Sequence, residues 1–335
     1  MTVLVTGSAG FIGMHVALAL LERGERVVGL DNLNPYYDVR LKHARLARLA
    51  QFPGHTQIEA DLSDRAAISA LFEQVRPRRV VHLAAQAGVR YAQENPHVYV
   101  SSNVTGFLHV LEGCRAVGVE HLVYASTSSV YGANSQLPFA ESQSTDHPLT
   151  LYAATKKANE SMAHSYANLY GIATSGLRFF TVYGPWGRPD MAFFKFTRAI
   201  ENGEPLPVYN QGRHTRDFTW IDDVVVALLA VLDQPSRADP AWNALQPQAA
   251  SSAVPWRVLN VGGSQPVPLL DAIAVLEHAL GRTAVLDLLP LQAGDVPDTA
   301  ADPSLLDALI GARPRTPVSV GIPRFVNWYR TYHGA

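Results

Sequence analysis

Only one cysteine, Cys114, occurs in the 335 residues. A lone thiol excludes an intrachain disulfide framework and fits a reducing compartment. It falls within the helical pattern NVTGFLHVLEGCRAVG, where a buried structural thiol is expected. The twelve histidines are scattered, with no HxxxH, HExxH or CxxC pair, so no metal site is expected. No apolar run approaches the roughly 20 residues that span a bilayer. The run TVLVTG begins at residue 2 and leaves no signal peptide ahead of it, so a soluble, cytoplasmic protein is expected. Neither sign of charge dominates: 27 Lys and Arg against 29 Asp and Glu give −2, no footprint for nucleic acid or an anionic membrane. What remains is an ordinary globular balance, 47% hydrophobic and 17% charged, long enough for one large α/β domain with a lobe, or for two domains.

Strand-like runs and helical patterns alternate through the first half. TVLVTG (2–7), RVVGLD (26–31), TQIEADL (56–62), RVVHLAA (79–85), HLVYAS (121–126) and TSGLRFF (174–180) read as strands. Helices are predicted near 11–23, 40–50, 66–75, 97–117 and 152–170. Repeated βα units of this length imply an α/β protein with a doubly wound parallel sheet, a Rossmann fold, covered by helices on both faces. From about Gly184, proline, glycine and aromatics rise and the alternation decays. The expected division is a nucleotide-binding domain at 1–180 and a smaller α/β C-terminal substrate lobe at 181–335. Segments 216–232, a strand turning into a helix, and 257–263, a strand, are expected to return to the first domain. Residues 235–256 read as a mobile loop.

Between the first strand and first helix stands GSAGFIG, placing Gly7, Gly10 and Gly13 in a GxxGxxG spacing. Glycines there let the backbone turn tightly and approach a pyrophosphate at the positive end of the helix. The second strand ends in Asp31, whose carboxylate would accept hydrogen bonds from the adenosine ribose hydroxyls. No arginine directly follows it, so a 2′-phosphate would be repelled and NAD is favoured over NADP. Asp61 and Leu62, at the end of the third strand, suit the adenine edge.

Downstream, LYAATKKANE puts Tyr152 and Lys156 four residues apart, on one helix face. A free tyrosine titrates at about 10. A neighbouring ammonium and a positively charged nicotinamide both favour the phenolate, giving a base that works near neutral pH. Ahead of this pair, STSSVYG (126–132) follows a buried-looking strand with hydroxyls and no acid.

This combination resembles the extended short-chain dehydrogenase/reductases that act on nucleotide sugars, essentially over the whole chain. In DNLNPYYDVRLKHARL (31–46), AAQAGVRYA (84–92), PLTLYAATKKANE (148–160) and GLRFFTVYGPWGRPDMAFFKF (176–196) it is similar to the UDP-glucuronate 4-epimerase family. The resemblance implies interconversion of UDP-glucuronic and UDP-galacturonic acids, with tightly held NAD recycled through a 4-ketone. It assigns Tyr152 as base, Lys156 as its partner and Thr127 as the hydroxyl bridging sugar O4 and the tyrosine. It extends the cofactor site to Phe11, Ile12, Asn32, Leu83, Ala84, Ala85, Gln86, Asn103 and Ser126. For the substrate it implies Arg216 as a phosphate-binding arginine and Arg188 near the diphosphate or the sugar. Arg90 stands either at the phosphates or in a surface ion pair. Tyr209 lies beside uracil with Gln211 nearby, and Phe193 lines the pocket or belongs to the core. The helices near 97–117 and 152–170, apolar on more than one face, correspond to a four-helix homodimer interface.

The same resemblance gives the missing acids a meaning. Related dehydratases carry Asp-Glu after the threonine, and decarboxylating relatives carry a glutamate; here Ser128 and Ser129 stand instead. Without an acid the simplest fate of a 4-ketone is reduction on its opposite face, which is epimerisation. Thr127, Ser128, Ser129 and Thr181 are expected to hydrogen-bond the uronate carboxylate and restrain it from decarboxylation. Ser128 and Ser129 have a plainer alternative, capping the strand turn. Hexose epimerases carry asparagine where Thr181 stands and tend to carry arginine where Gln292 stands, which leaves Asp295 as a pocket-edge candidate. A hexose 4-epimerase, a decarboxylase using another acid and a non-catalytic NAD-binding scaffold remain as alternatives; the last is opposed by intact Tyr152, Lys156 and Thr127.

Overall fold

The computed structural model describes residues 1–88, 90–291 and 296–334. Gln292 and Asp295 lie outside them. Among the described residues twelve strands occur in chain order: β1 (Thr2–Thr6), β2 (Arg26–Asp31), β3 (His55–Glu59), β4 (Arg79–His82), β5 (His121–Thr127), β6 (Thr174–Phe179), β7 (Thr181–Tyr183), β8 (Pro205–Val208), β9 (Thr215–Trp220), β10 (Trp256–Val261), β11 (Pro266–Pro268) and β12 (Val285–Leu288). Seven form one sheet in the order β10-β6-β5-β4-β1-β2-β3, parallel throughout. Alternating side chains feed two separate cores. Val3, Val5, Val81 and Val123 enter the core on one face, and Leu4, Val80, Leu122 and Tyr124 that on the other. Cys114 belongs to the second core, where burial pushes its thiol up.

Local signals fix the helix ends. Asp64 caps helix Arg65–Val75 by accepting from the amides of Ala66 and Ala67, and Thr150 caps helix Leu151–Tyr170 by accepting from Ala153. That helix stops at Gly171, in the left-handed conformation that glycine adopts most easily.

Three predicted elements differ from the observed ones. β3 ends at Glu59, so Asp61 and Leu62 sit in the turn beyond it, and β4 ends at His82. The helix expected near 97–117 is broken: Pro96–Tyr99 is α-helical, Val100–Thr105 is a π-helical segment and Gly106–Val117 is α-helical again. The widened segment carries Asn103, whose amide pairs with the Gln86 main chain rather than joining a regular helix face.

β10 pairs with β6 at the sheet edge. β9 instead lies between β7 and β11 in a three-stranded sheet, while the helix that follows it, Ile221–Leu232, packs on helix Phe11–Glu22 and on β5. β8 and β12 form a parallel pair. The stretch 235–255 has no helix or long strand, but Ser236 Oγ donates to the Pro255 carbonyl (2.6 Å) and Ser251 Oγ to Asp239 (2.7 Å). Among the described residues no helix is long and apolar enough to cross a membrane, and no His/Cys/Asp/Glu cluster could hold a metal.

Candidate active site

The glycine turn leaves β1 with Gly7 at φ +74°, and the Gly7 amide donates to the Leu30 carbonyl of β2 at 2.7 Å. A Cβ on Gly7 would stand 2.8 Å from the Ala84 amide nitrogen; one on Gly13 would stand 2.0 Å from the Gly7 carbonyl oxygen. The turn is therefore packed as tightly as glycine permits, against the Leu83–Ala84 main chain on one side and its own helix on the other. Helix Phe11–Glu22 begins at Gly10 without any side-chain cap, so its first amides remain available to an anion. Asp31 closes the far side, accepting from the amides of Ala9 (3.2 Å) and Leu33 (2.9 Å) and from Lys42 Nζ (3.3 Å). Asn32 Nδ2 donates to Asp61 at 2.7 Å, which joins two of the predicted cofactor-site residues. An uncapped helix start, a cradle that any Cβ would fill and a carboxylate at the end of β2 fit an adenine dinucleotide.

Beyond β4 the main chain at Gln86 is clasped by Asn103: Oδ1 accepts from its amide at 2.8 Å and Nδ2 donates to its carbonyl at 3.0 Å. Asn103 Nδ2 also donates to Thr155 on the helix carrying Tyr152. Asn103 thus fixes the cofactor-side strand end to the helix of the predicted base.

Thr127 ends β5 and its hydroxyl accepts from the Ser129 amide at 3.2 Å, so the strand turn is capped by Thr127 rather than by the serines. Burial pushes the Tyr152 phenol up, and the Arg188 charge and Thr127 offset only part of this, so in the protein alone the phenol stands above its ordinary value, not below it as the sequence suggested. Thr127 and Arg188 are thus the two groups that favour the ionised phenol. Burial lowers Lys156 to about 8, opposed by Glu160, so the ammonium persists at neutral pH. Behind it, burial and then the Lys156 charge lower His82 to about 3; its neutral ring bonds Thr6 Oγ1 at 2.8 Å.

Ser128, Ser129, Thr181 and Arg216 line a cavity of about 150 Å³, closed by Tyr131 and Phe139 and joined by Thr150, which the sequence did not suggest. Among the described lining residues there is no carboxylate. Thr181 also faces a second, largely apolar space with Arg188 and Phe193. Phe193 is 4% exposed and packs against Tyr183 and Phe218, so it belongs to the core and at the same time forms part of the wall of that second space. Arg90 stacks over the Tyr209 ring at 5.0 Å. Gln211 is held through its amide, which donates to the Leu289 carbonyl. Arg216 Nη1 donates to the Pro297 carbonyl at 2.5 Å, and Arg188 forms an ion pair with Asp190.

A buried polar chain beneath the site escaped sequence reasoning. Ser126 Oγ donates to Glu160 at 2.6 Å, Arg178 grips Glu160 with two N–H groups, and Tyr131 links Arg178 to Asn260. Burial works against the Glu160 carboxylate, but Arg178 and Ser126 outweigh it and hold its pKa below the usual range. A signal existed: Glu160 follows Lys156 by another four residues on the Tyr152 face, and Arg178 is the charged residue within the apolar strand TSGLRF.

The NAD dependent epimerase/dehydratase family matches residues 3–244. A probable UDP-glucuronate 4-epimerase of Rhizobium meliloti is 50% identical, the match covering 98% of this chain and 97% of that one. UDP-glucuronate 4-epimerase 4 of Arabidopsis thaliana is 47% identical over 99% of this chain and 76% of its own length. Among solved structures, the Bacillus cereus UDP-glucuronic acid 4-epimerase in complex with UDP-glucuronic acid and NAD superposes with a TM-score of 0.88 at 31% identity, covering 99% of this chain and all of that one.

Proposed function

The chain belongs to the NAD dependent epimerase/dehydratase family, and from that premise we propose that it interconverts UDP-glucuronic acid and UDP-galacturonic acid by epimerisation at C4. The observation that carries this reading is the hydroxyl-lined cavity, with no carboxylate among its described lining residues, whose walls include Ser128 and Ser129, directly after Thr127, and Thr150, which caps the helix that carries Tyr152 and Lys156. NAD, when bound, supplies reversible oxidation at the sugar carbon. Gly7, Gly10 and Gly13 with the following helix start hold its pyrophosphate, Asp31 its ribose and the Asn32–Asp61 pair its adenine edge. Tyr152 takes the proton from the sugar 4-hydroxyl and later returns it; Thr127 relays the hydrogen bond. Lys156, whose charge Glu160 supports, serves as the partner that favours the phenolate, and the Arg188 charge favours it as well.

Thr127, Ser128, Ser129 and Thr181 bind the uronate carboxylate through hydroxyls and supply no acid for a second reaction. Arg216 and Arg90 serve the diphosphate, with Tyr209 beside uracil and Gln211 next to it. Residues 1–180 form the cofactor domain in this reading, and 181–335 contribute most of the sugar-nucleotide lobe. We further propose a cytoplasmic homodimer through the helices bearing Leu108 and Leu169, which are 38% and 63% exposed, whereas Phe107 and Leu111 are spent on the chain's own core.

The test is incubation of the NAD-loaded protein with UDP-glucuronate deuterated at C4, followed by NMR. Galacturonate should form with the label kept and with little pentose. Pentose as the major product, or loss of the label to solvent, would sink the reading.

A further inference from the structure

Two stretches that carry the family resemblance, 31–46 and 184–190, lie against each other although neither contains the predicted base. Their junction is Arg45, which is 0% exposed. Its Nη1 donates to the Ala9 carbonyl in the glycine turn (3.0 Å) and to the Tyr37 hydroxyl (2.6 Å). Its Nη2 donates to the carbonyls of Trp186 (2.6 Å) and Gly187 (3.1 Å), and Nε also reaches Trp186 (3.2 Å). The planar fork of guanidinium donors is thereby divided between the glycine turn and the main chain just before Arg188. Two further tethers act on the same loop: Tyr36 donates its hydroxyl proton to Asp190 at 3.2 Å, and the His15 ring bonds the Pro185 carbonyl at 3.0 Å. The loop needs holding, since Trp186 sits at φ +63°, a conformation that a bulky side chain disfavours.

We infer that Arg45, seconded by Tyr36, is a positioning residue for the proposed epimerisation, fixing Arg188 at the wall of the space that Thr181 also lines by holding the Trp186 and Gly187 carbonyls against the glycine turn. The inference rests on the epimerase reading above. It gives the 31–46 motif a task other than nucleotide contact: it is the seat of the loop that carries Arg188 to the space lined by Thr181. Lysine cannot replace Arg45, because a single ammonium cannot span carbonyls on both sides.

The test is a double-mutant cycle with UDP-glucuronate, built from Arg45→Lys and Arg188→Ala, with bound NAD and melting temperature measured for each variant. Arg45→Lys alone is expected to lower kcat by about 10²-fold, the scale of a misplaced site group, with KM moved much less. On the Arg188→Ala background the same change should cost no more than about twofold, because its effect runs through Arg188. In cofactor-free protein, amide exchange across 184–190 should speed up by at least about tenfold in Arg45→Lys, as local opening becomes easier. Multiplying effects in the double variant, unchanged kinetics or unchanged exchange each overturn the inference. Should Arg45→Lys fail to fold, Tyr36→Phe, which deletes only the hydroxyl reaching Asp190, enters the same cycle under the same criteria. A wild type inert towards UDP-glucuronate overturns the epimerase reading and the inference with it; an active wild type with multiplying effects overturns the inference alone.

Discussion

Arg178 and Glu160 form a bidentate pair, 2.9 Å at both contacts, with side chains 1% and 3% exposed. Such a pair adds little over a well-packed apolar core, but breaking it strands a buried charge. Glu160→Gln should therefore destabilise the protein by about 3–5 kcal/mol in urea unfolding. Glu160→Gln combined with Arg178→Met should recover part of that loss. Equal stability of wild type and Glu160→Gln would refute the assignment of a charged pair.

Lys156 carries a pH signature. Unfolded, the ammonium keeps its proton up to 10.5; folded, burial brings it to about 8. Between those values the unfolded chain binds more protons, so this residue's destabilising effect is full below about 8 and is relieved as pH rises towards 10.5. The stability advantage of Lys156→Met over wild type in NAD-free protein should shrink by roughly 3 kcal/mol between about pH 7 and about pH 11. The measurement is urea unfolding of both proteins across that range. A gap independent of pH would show that Lys156 is not buried as described.

The glycine turn has no room for a methyl group at residue 13. Because a Cβ there would meet the Gly7 carbonyl at 2.0 Å, Gly13→Ala must open the turn. The expected cost is about 1–3 kcal/mol of stability from overpacking, together with loss of bound NAD. Thermal melts and the nucleotide released on denaturation check both. Full NAD occupancy in Gly13→Ala would mean that the turn is not the pyrophosphate site.

Local chemistry is what the sequence made legible. Gly7, Gly10 and Gly13 announce a turn because they stand between a strand and a helix with Asp31 closing the next strand, and Tyr152 and Lys156 share a face because a helix imposes it. The βα alternation was enough for the parallel sheet. Less legible were residues whose meaning depends on distant partners. Arg45 reads as one more cation on an amphipathic helix until Trp186 and Gly187 arrive from across the chain to enclose it. The Val100–Thr105 break contains no proline or glycine; it carries Asn103, whose pairing with Gln86 is a tertiary contact that no local pattern announces. β9 looked like a return to the main sheet because its helix does return, yet the strand itself pairs with β7 and β11. Phe193 shows the same limit: an aromatic near a pocket and an aromatic in a core share one sequence signature, and in the structure it is both, packed against Phe218 at the wall of the space lined by Thr181 and Arg188.

The pairing of β10 with β6 bears on biosynthesis. Until residues 256–261 leave the ribosome, a nascent chain that has already assembled its first six strands presents the β6 flank as an open template for other chains. Cofactor-binding half and sugar-binding half therefore cannot mature one after the other. A gene fragment ending before Trp256 should accumulate as aggregate, however complete its nucleotide site looks on paper.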